Sequence, residues 1–502
     1  MLKKAAYARN VWRRWLRQET GNVAIIFALA IVPIIGGVGA SVDISRAYVV
    51  KARLNQALDA AGLAVGSLIG YTDAELTEKA QAFFDANYPE SKLGVTADVT
   101  IRQGDGIVVI DGKATVKTVM ANFIGISEID VASTVEITRE SKGLEVVLVL
   151  DNTGSMGSSG KLSAMKTAAT EMVEILFGSE TNPEKLKVGL VPFAAGVNLG
   201  TDFVNSGYMD VDAQSSTHGE NFESGTNVWD LYDDLRNRSW EGCVETRPYP
   251  YDETDAVPSS GNGDTLWVPW FAPDEPDRGG YYYNNYLSDG YSRYSGASVD
   301  TRQRDVRKYE NQYVYSSSRG PSYGCDIPSV TPLTNNRNTV ENGIDDLVAS
   351  GNTHIPIGLA WGWRLLSPQA PFTEGVAYDD EEYTKAIILL TDGQNVLGTV
   401  SNHNGNRYSA YGYLPEERLG TSNSWQAENE LDYKTARICE NVKEEGIRVY
   451  TITFQLNDTA TQNLMKACAT NESLYFNSPS NEQLRLAFQT IAQDLSNLRI
   501  SK

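Results

Sequence analysis

Histidine is nearly missing from this chain: 3 occur in 502 residues, His218, His354 and His403. None lies in an H-E-x-x-H pattern, and the sequence has no G-x-S-x-G elbow and no Walker A loop. The motif-borne chemistries of zinc peptidases, elbow-type hydrolases and P-loop NTPases are therefore without their residues. Cysteine is scarce too, with 4 residues and no C-x-x-C, which argues against a redox dithiol or a zinc ribbon. Positive charge is in deficit: 43 Lys and Arg stand against 64 Asp and Glu, a net −21. Six of the basic residues, Lys3, Lys4, Arg9, Arg13, Arg14 and Arg17, crowd into the first 20 positions, so the remainder is more acidic still. That balance argues against nucleic acid and anionic lipid as principal partners, because phosphate binding needs clustered Lys and Arg. Divalent cations and basic protein surfaces suit it better.

What the chain does have is a pair of long apolar runs that end in carboxylates. Val146 to Leu150 runs straight into Asp151-Asn152-Thr153-Gly154-Ser155, and Lys385 to Leu390 into Thr391-Asp392-Gly393. Runs of this length and branching predict central strands of a sheet covered on both faces. Ligands of open α/β sheets bind beyond the carboxyl ends of such strands. Between the two runs, Ser350-Gly351-Asn352-Thr353 is a polar turn before a helical stretch from Ile355 to Leu366. His354, next to Thr353, could orient that loop but reads rather as an ordinary loop histidine. Hard oxygens from carboxylates and hydroxyls suit Mg²⁺. Taken alone, Asp-x-Thr-x-Ser is also a common turn composition. Further helices are predicted from Leu162 to Phe177 and from Leu484 to Leu495, and a strand from Ile447 to Phe454. Strands alternating with helices predict an α/β fold with a doubly wound, mostly parallel sheet.

These three segments resemble the von Willebrand factor A domain and its metal-ion-dependent adhesion site. The resemblance implies the ligand set Asp151, Thr153, Ser155, Thr353 and Asp392. It also implies Mg²⁺, with Ca²⁺ or Mn²⁺ as alternatives, and an open coordination position for an acidic residue of a protein partner. No activated base or nucleophile accompanies the set, so no catalytic residue is assigned and binding rather than turnover is expected. Asp151→Ala is expected to weaken ion binding without unfolding the domain, since strand-end loops carry little core packing.

The N-terminal basic cluster precedes an uncharged stretch from Thr20 to Val42. Its core, Val23 to Val42, is long enough as a helix to cross one hydrocarbon thickness of roughly 30 Å. Basic residues ahead of the span keep that end cytoplasmic and place the bulk of the chain outside. The competing reading is a cleaved signal peptide with Val38-Gly39-Ala40 as the small-residue site. Ile44, Tyr48, Leu54, Leu58 and Leu63 continue a helical pattern beyond the span, which favours retention. Thr20 to Leu29, Val42-Asp43-Ile44-Ser45-Arg46 and Asn55 to Ala61 resemble the N-terminal segment of Tad (Flp-type) pilus-assembly proteins of the TadE/TadG kind. That resemblance implies a bacterial inner-membrane protein, single-pass, with its bulk periplasmic and with pilus or secretion-system components as partners. Where pilin-like members carry a Glu near the start of the apolar stretch this chain has Ile26, which argues against processing as a fibre subunit.

The expected organisation is a basic segment 1–20, a transmembrane and continuing helix 21–70, a small α+β module 71–140 and an A-like domain 143–500. The last is interrupted by an insertion 199–333, rich in Tyr, Asp, Gly, Ser and Pro. Two readings of the insertion stay open: an adaptable Tyr-rich recognition surface, or a closed unit packing its aromatics on itself. A shorter insertion from Leu397 to Asn423 follows Asp392. All four cysteines, Cys243, Cys325, Cys439 and Cys468, fall on the exported side, where disulfides are the default. Of three pairings, Cys243–Cys325 with Cys439–Cys468 closes two local units; free buried thiols are the alternative. The function expected is a membrane-anchored pilus-assembly or adhesion factor. Its rival is a metal-dependent regulatory or envelope-ligand sensor unrelated to pili.

Overall fold

Gly21–Gly66 forms one 46-residue helix, α1, about 70 Å long at 1.5 Å per residue. The structure, a computed structural model, describes residues 21–66, 68, 73–88, 91, 95–104, 107–138, 142–290 and 296–500. The basic segment 1–20 lies outside the described residues. The chain divides into two units, 1–140 and 141–502.

In the first unit α1 changes character along its length. From Val23 to Val42 its large apolar side chains are exposed, and the helix runs through Pro33. This is the one described helix long and apolar enough to cross a membrane. Past Asp43 a buried stripe appears at Ala47, Val50, Leu54, Ala57, Leu58, Ala61 and Val65, the three-and-four spacing of one helix face. Of the residues that suggested continuation, Leu54 and Leu58 lie in this stripe, whereas Ile44, Tyr48 and Leu63 are exposed. The stripe packs against α2 (Asp73–Asn87) and an antiparallel sheet of β1 (Ala97–Gly104), β2 (Ile107–Lys117) and β3 (Glu128–Thr138), in that order.

The second unit holds the doubly wound sheet expected from the apolar runs. Its strands are β4 (Gly143–Asp151), β5 (Leu186–Phe193), β6 (Thr331–Thr334), β7 (Tyr383–Thr391), β8 (Arg448–Phe454) and β9 (Tyr475–Ser478). The order is β9-β8-β7-β4-β5-β6, parallel throughout except for β6, which runs antiparallel to β5. Every residue of β4 is buried, because helices cover both faces. Leu144, Val146, Leu148 and Leu150 join one core with α3 (Lys161–Phe177), α4 (Arg337–Asp345) and α8 (Asn481–Ile500). Val147 and Val149 point the other way, to α5 (Ile355–Leu366), α6 (Ser424–Glu444) and α7 (Thr459–Cys468). The one charged residue inside β4's apolar run, Glu145, is neutralised by its register partners, Lys187 at 3.0 Å and Lys385.

The chain between β5 and β6 packs on the α5 face. Cys243 and Cys325 are bonded within it, and Cys439 of α6 is bonded to Cys468 of α7. Trp267 packs against Trp361 of α5 with ring centres 5.1 Å apart and the rings tilted by 36°. Arg364 of α5 donates to the carbonyls of Tyr251, Asp252 and Thr254. Trp270, Phe271 and Tyr309 are buried, whereas Tyr281 and Tyr315 are 73% and 88% exposed. The segment thus has an aromatic interior of its own and a tyrosine-bearing surface besides.

Candidate metal centre

β4 is the strand at which the sheet changes direction: the chain next builds outward through β5, then returns to β7 on β4's other edge. A crevice opens beyond the carboxyl ends at such a reversal. Asp151 ends β4, and Asp392 follows the last residue of β7. The two carboxylates are therefore neighbours by construction of the sheet.

Asp151 is fully buried. Its Oδ1 accepts the Thr153 N–H at 2.8 Å, which curls the loop back onto the strand end, and its Oδ2 accepts the Thr391 hydroxyl at 2.8 Å. Burial pushes its pKa up to about 6, and the charge of Asp392 adds to the effect against the Thr153 and Thr391 hydrogen bonds. The Ser155 hydroxyl donates to Asp392 Oδ1 at 2.6 Å, and Thr153 Oγ1 lies 3.0 Å from Ser155 Oγ. The loop before α5 is clasped to the first one: Gly154 N–H donates to Gly351 O at 3.0 Å and Ser350 N–H to Asn152 O at 2.7 Å. Gly351 has φ +80°, a left-handed conformation that a side chain would resist. Thr353 is held from the far side, its carbonyl accepting the Val396 N–H at 2.9 Å. A Cβ placed on Gly393 would stand 3.5 Å from Thr353 Oγ1 and 4.0 Å from Ser155 Oγ, so both hydroxyls look onto one point beside Asp392.

The donor set suits a hard cation. Two carboxylates and three hydroxyls meet here, all oxygen, the chemistry of Mg²⁺, Ca²⁺ or Mn²⁺. Among the described residues no three His, Cys, Asp or Glu side chains gather as a metal cluster, so softer nitrogen or sulfur ligation has no candidate. Ser155 is the exposed member of the five, with Asp151, Thr153, Thr353 and Asp392 at 5% exposure or less. Approach from solvent is over Ser155.

Two participants, Lys161 and Asn395, escaped the motif reading. Lys161 Nζ sits 2.9 Å from Asp392 Oδ2, a cation placed within the crevice. Its signal was in the sequence: a Lys opening a helix opposes the helix dipole and needs another reason to be there. Asn395 accepts the Ile355 N–H at 2.8 Å and donates to Asp432 at 2.8 Å, fixing the start of α5. Nothing in a lone loop Asn announces that role. His354 is completely buried, and burial lowers its pKa to about 4; it packs neutral behind the Thr353 loop.

No curated protein matches the chain. Among solved structures, it is similar to the pilus adhesin SpaC of Lactobacillus rhamnosus GG, at 12% identity and TM-score 0.32, covering 80% of this chain and 34% of that one. It is also similar to the von Willebrand factor domain of the type V pili tip protein Mfa5 of Porphyromonas gingivalis (13% identity, TM-score 0.34, 72% and 97% covered). A third is proximal thread matrix protein 1 of the mussel byssus, with a zinc-occupied MIDAS motif (13% identity, TM-score 0.29, 71% and 46% covered). The chain thus spans about a third of SpaC. Residues 21–68 match the family model described as Tad, Flp pilus-assembly TadE/G-like.

Proposed function

We propose that this protein is a membrane-anchored pilus-assembly or adhesion factor whose A-like domain grips a protein partner through a divalent cation. The observation that carries the reading is the meeting of Ser155 and Asp392 at 2.6 Å, from loops 237 residues apart, with the Thr153 hydroxyl beside them. Asp151, Thr153, Ser155, Thr353 and Asp392 would hold the ion, Mg²⁺ in the first instance. When bound, the cation supplies an open coordination position that a partner's Asp or Glu side chain can fill. Asp151 keeps the loop curled through the Thr153 N–H, Thr391 and Asn395 fix the two flanking loops, and the exposed Ser155 leaves the approach clear. The role proposed is non-enzymatic, binding rather than turnover. The TadE/G-like match over residues 21–68 supports pilus or secretion-system components as partners. The apolar first half of α1 supports a single-pass anchor, with the basic N-terminus cytoplasmic and the bulk in the periplasm, the inner membrane being the site.

The test is titration calorimetry of the full chain in detergent, with MgCl₂ as titrant, on the native protein and on Asp392→Ala. One saturable binding event, lost in the variant, is expected. Equal heats from both proteins would remove Asp392 from the site and the mechanism with it.

A further inference from the structure

Ten uncharged residues, Thr118 to Ser127, connect β2 to β3. Connections between strands are usually polar and solvated. This one exposes Val119 (61%), Met120 (40%), Phe123 (87%) and Ile126 (49%). It is not loose. The buried carboxylate of Asp43 on α1 accepts the N–H groups of Val119, Met120 and Ala121 at 3.1, 2.8 and 2.7 Å. The N–H groups of Thr118, Phe123, Gly125 and Ile126 are bonded to carbonyls of the same loop, and the Thr118 hydroxyl donates to the Ile126 carbonyl. At least seven of the ten backbone donors are thus satisfied without water, the condition for polypeptide to enter an apolar medium.

The loop's place along α1 gives the occupant. Asp43 is the first charged residue after the apolar stretch of α1. A Cβ on Gly39 would meet Met120 Cβ at 2.4 Å, so the loop packs against the last turn of that stretch, level with its end. The strands behind it lie along the amphipathic part of α1, where Gly112 of β2 abuts Leu54 and Leu58. A hairpin tip at this depth, apolar, without charge and carrying an exposed aromatic, meets the boundary between lipid headgroups and hydrocarbon, where aromatic rings concentrate.

We infer that the Thr118–Ser127 loop is a second membrane contact, seated in the outer edge of the bilayer beside α1 with Phe123 as its leading side chain, and that Asp43 is the residue that fixes it there. The partner is the lipid boundary itself. This inference rests on the reading of α1 as a membrane anchor. Its consequence is that the first unit cannot swing freely about a single helix, since two contacts fix its tilt on the membrane.

No free cysteine competes for a label, so Phe123→Cys in the full chain can carry an environment-sensitive fluorophore at an exposed position. The labelled protein is reconstituted in phosphatidylcholine vesicles, with Lys113→Cys on β2 as the reference. The inference expects blue-shifted emission at position 123, quenching by nitroxide-bearing lipid and protection from aqueous iodide. Position 113 should give the opposite on all three counts. Iodide-accessible, red emission at 123 in protein that floats with the vesicles overturns the inference and leaves the anchor standing. Protection that lipid nitroxides do not quench, and that grows with protein density, assigns the loop to a protein neighbour and also overturns it. Protein that fails to float removes the anchor reading, and the inference with it. Asp43→Asn, which keeps the side-chain shape but weakens the acceptor, should lower the quenching at 123 in protein that still floats.

Discussion

The ammonium of Lys161 lies 2.9 Å from one oxygen of Asp392 while the Ser155 hydroxyl lies 2.6 Å from the other. Both carboxylate oxygens of Asp392 are thus engaged by groups at the mouth of the crevice, and one of those groups carries a positive charge. Lys161 stands where a divalent cation would need to share the carboxylate.

If the site takes a cation as proposed, Lys161 would balance the buried carboxylates in the ion-free protein and oppose the cation in the loaded one. With the Lys161 and Asp392 side chains 12% and 0% exposed, Lys161→Met should cost roughly 3 kcal/mol of stability in chelator, the usual result of leaving a buried charge unpaired. In saturating Mg²⁺ the deficit should shrink, and Mg²⁺ should bind more tightly than to the native chain. Urea unfolding with EDTA and with Mg²⁺ measures both. An equal loss in the two conditions would mean that Lys161 does not substitute for the ion's charge.

Asp151 calls for a more cautious substitution than its place on a loop suggests. Loop position alone predicts that Asp151→Ala disturbs the site without the fold. The carboxylate is fully buried and accepts from Thr153 N–H and from the Thr391 hydroxyl, so alanine would strand two donors at about 1–3 kcal/mol. Asp151→Asn retains an acceptor oxygen and removes the charge. It should lose divalent-ion affinity with less than half the stability loss of the alanine variant, as read by calorimetry and thermal unfolding side by side. Comparable unfolding of the two would show that charge, not hydrogen bonding, makes Asp151 structural.

How much of this could be read in advance depended on how local the determinant was. The continuous apolar runs ending at Leu150 and Leu390 state their own burial, and with them the parallel sheet and the carboxylates at its edge. The pairing of Cys243 with Cys325 and of Cys439 with Cys468 was favoured from locality and is the pairing present. What escaped was set by distant partners. Strand β6 is four residues that acquire their role only by pairing antiparallel with β5. Tyr48 and Leu63 look like core positions by composition, yet the face of α1 that β2 and β3 cover is the one bearing Ala47, Val50, Leu54 and Leu58. Asn395 is informative only once Ile355 and Asp432 are seen on either side of it.

The insertion carries a pH response of its own. Glu220 lies 3.2 Å from Arg418, yet burial, together with the charges of Glu245 and Glu416, raises its pKa to about 7. Its ionised form is therefore disfavoured in the folded chain relative to the unfolded one. The cost is present in full above pH 7 and is relieved as pH falls through 7 toward the ordinary carboxylate value, by at most about 1.4 kcal/mol per pH unit. Glu220→Gln, which cannot ionise, should be more stable than the native chain at pH 8 and should lose that advantage by pH 5. Denaturant midpoints of the two proteins across this range decide it. Parallel curves would place the titration elsewhere.

The approach of α5 to the sheet is set by two glycines one turn apart. A Cβ on Gly358 would come within 2.5 Å of the Phe193 ring, and one on Gly362 within 2.5 Å of Val149 Cγ2. Neither contact is tolerable, so an alanine at either position must lift the helix or move its neighbour, at about 1–3 kcal/mol for overpacking. The two sites differ in what moves with them. Gly358 stands at the start of α5, one turn from Ile355, whose N–H Asn395 holds and which follows the Thr353 loop directly. Phe193 is a packed ring with little freedom to turn aside, whereas Val149 can shift a single methyl. Gly358→Ala should accordingly lose both stability and several-fold in divalent-ion affinity, because lifting this end of α5 withdraws Thr353 from the point it shares with Ser155. Gly362→Ala should lose stability with affinity nearly intact. Urea unfolding combined with Mg²⁺ titration separates the two effects, and equal affinity losses at both positions would mean that the site senses overall stability rather than the placement of Thr353.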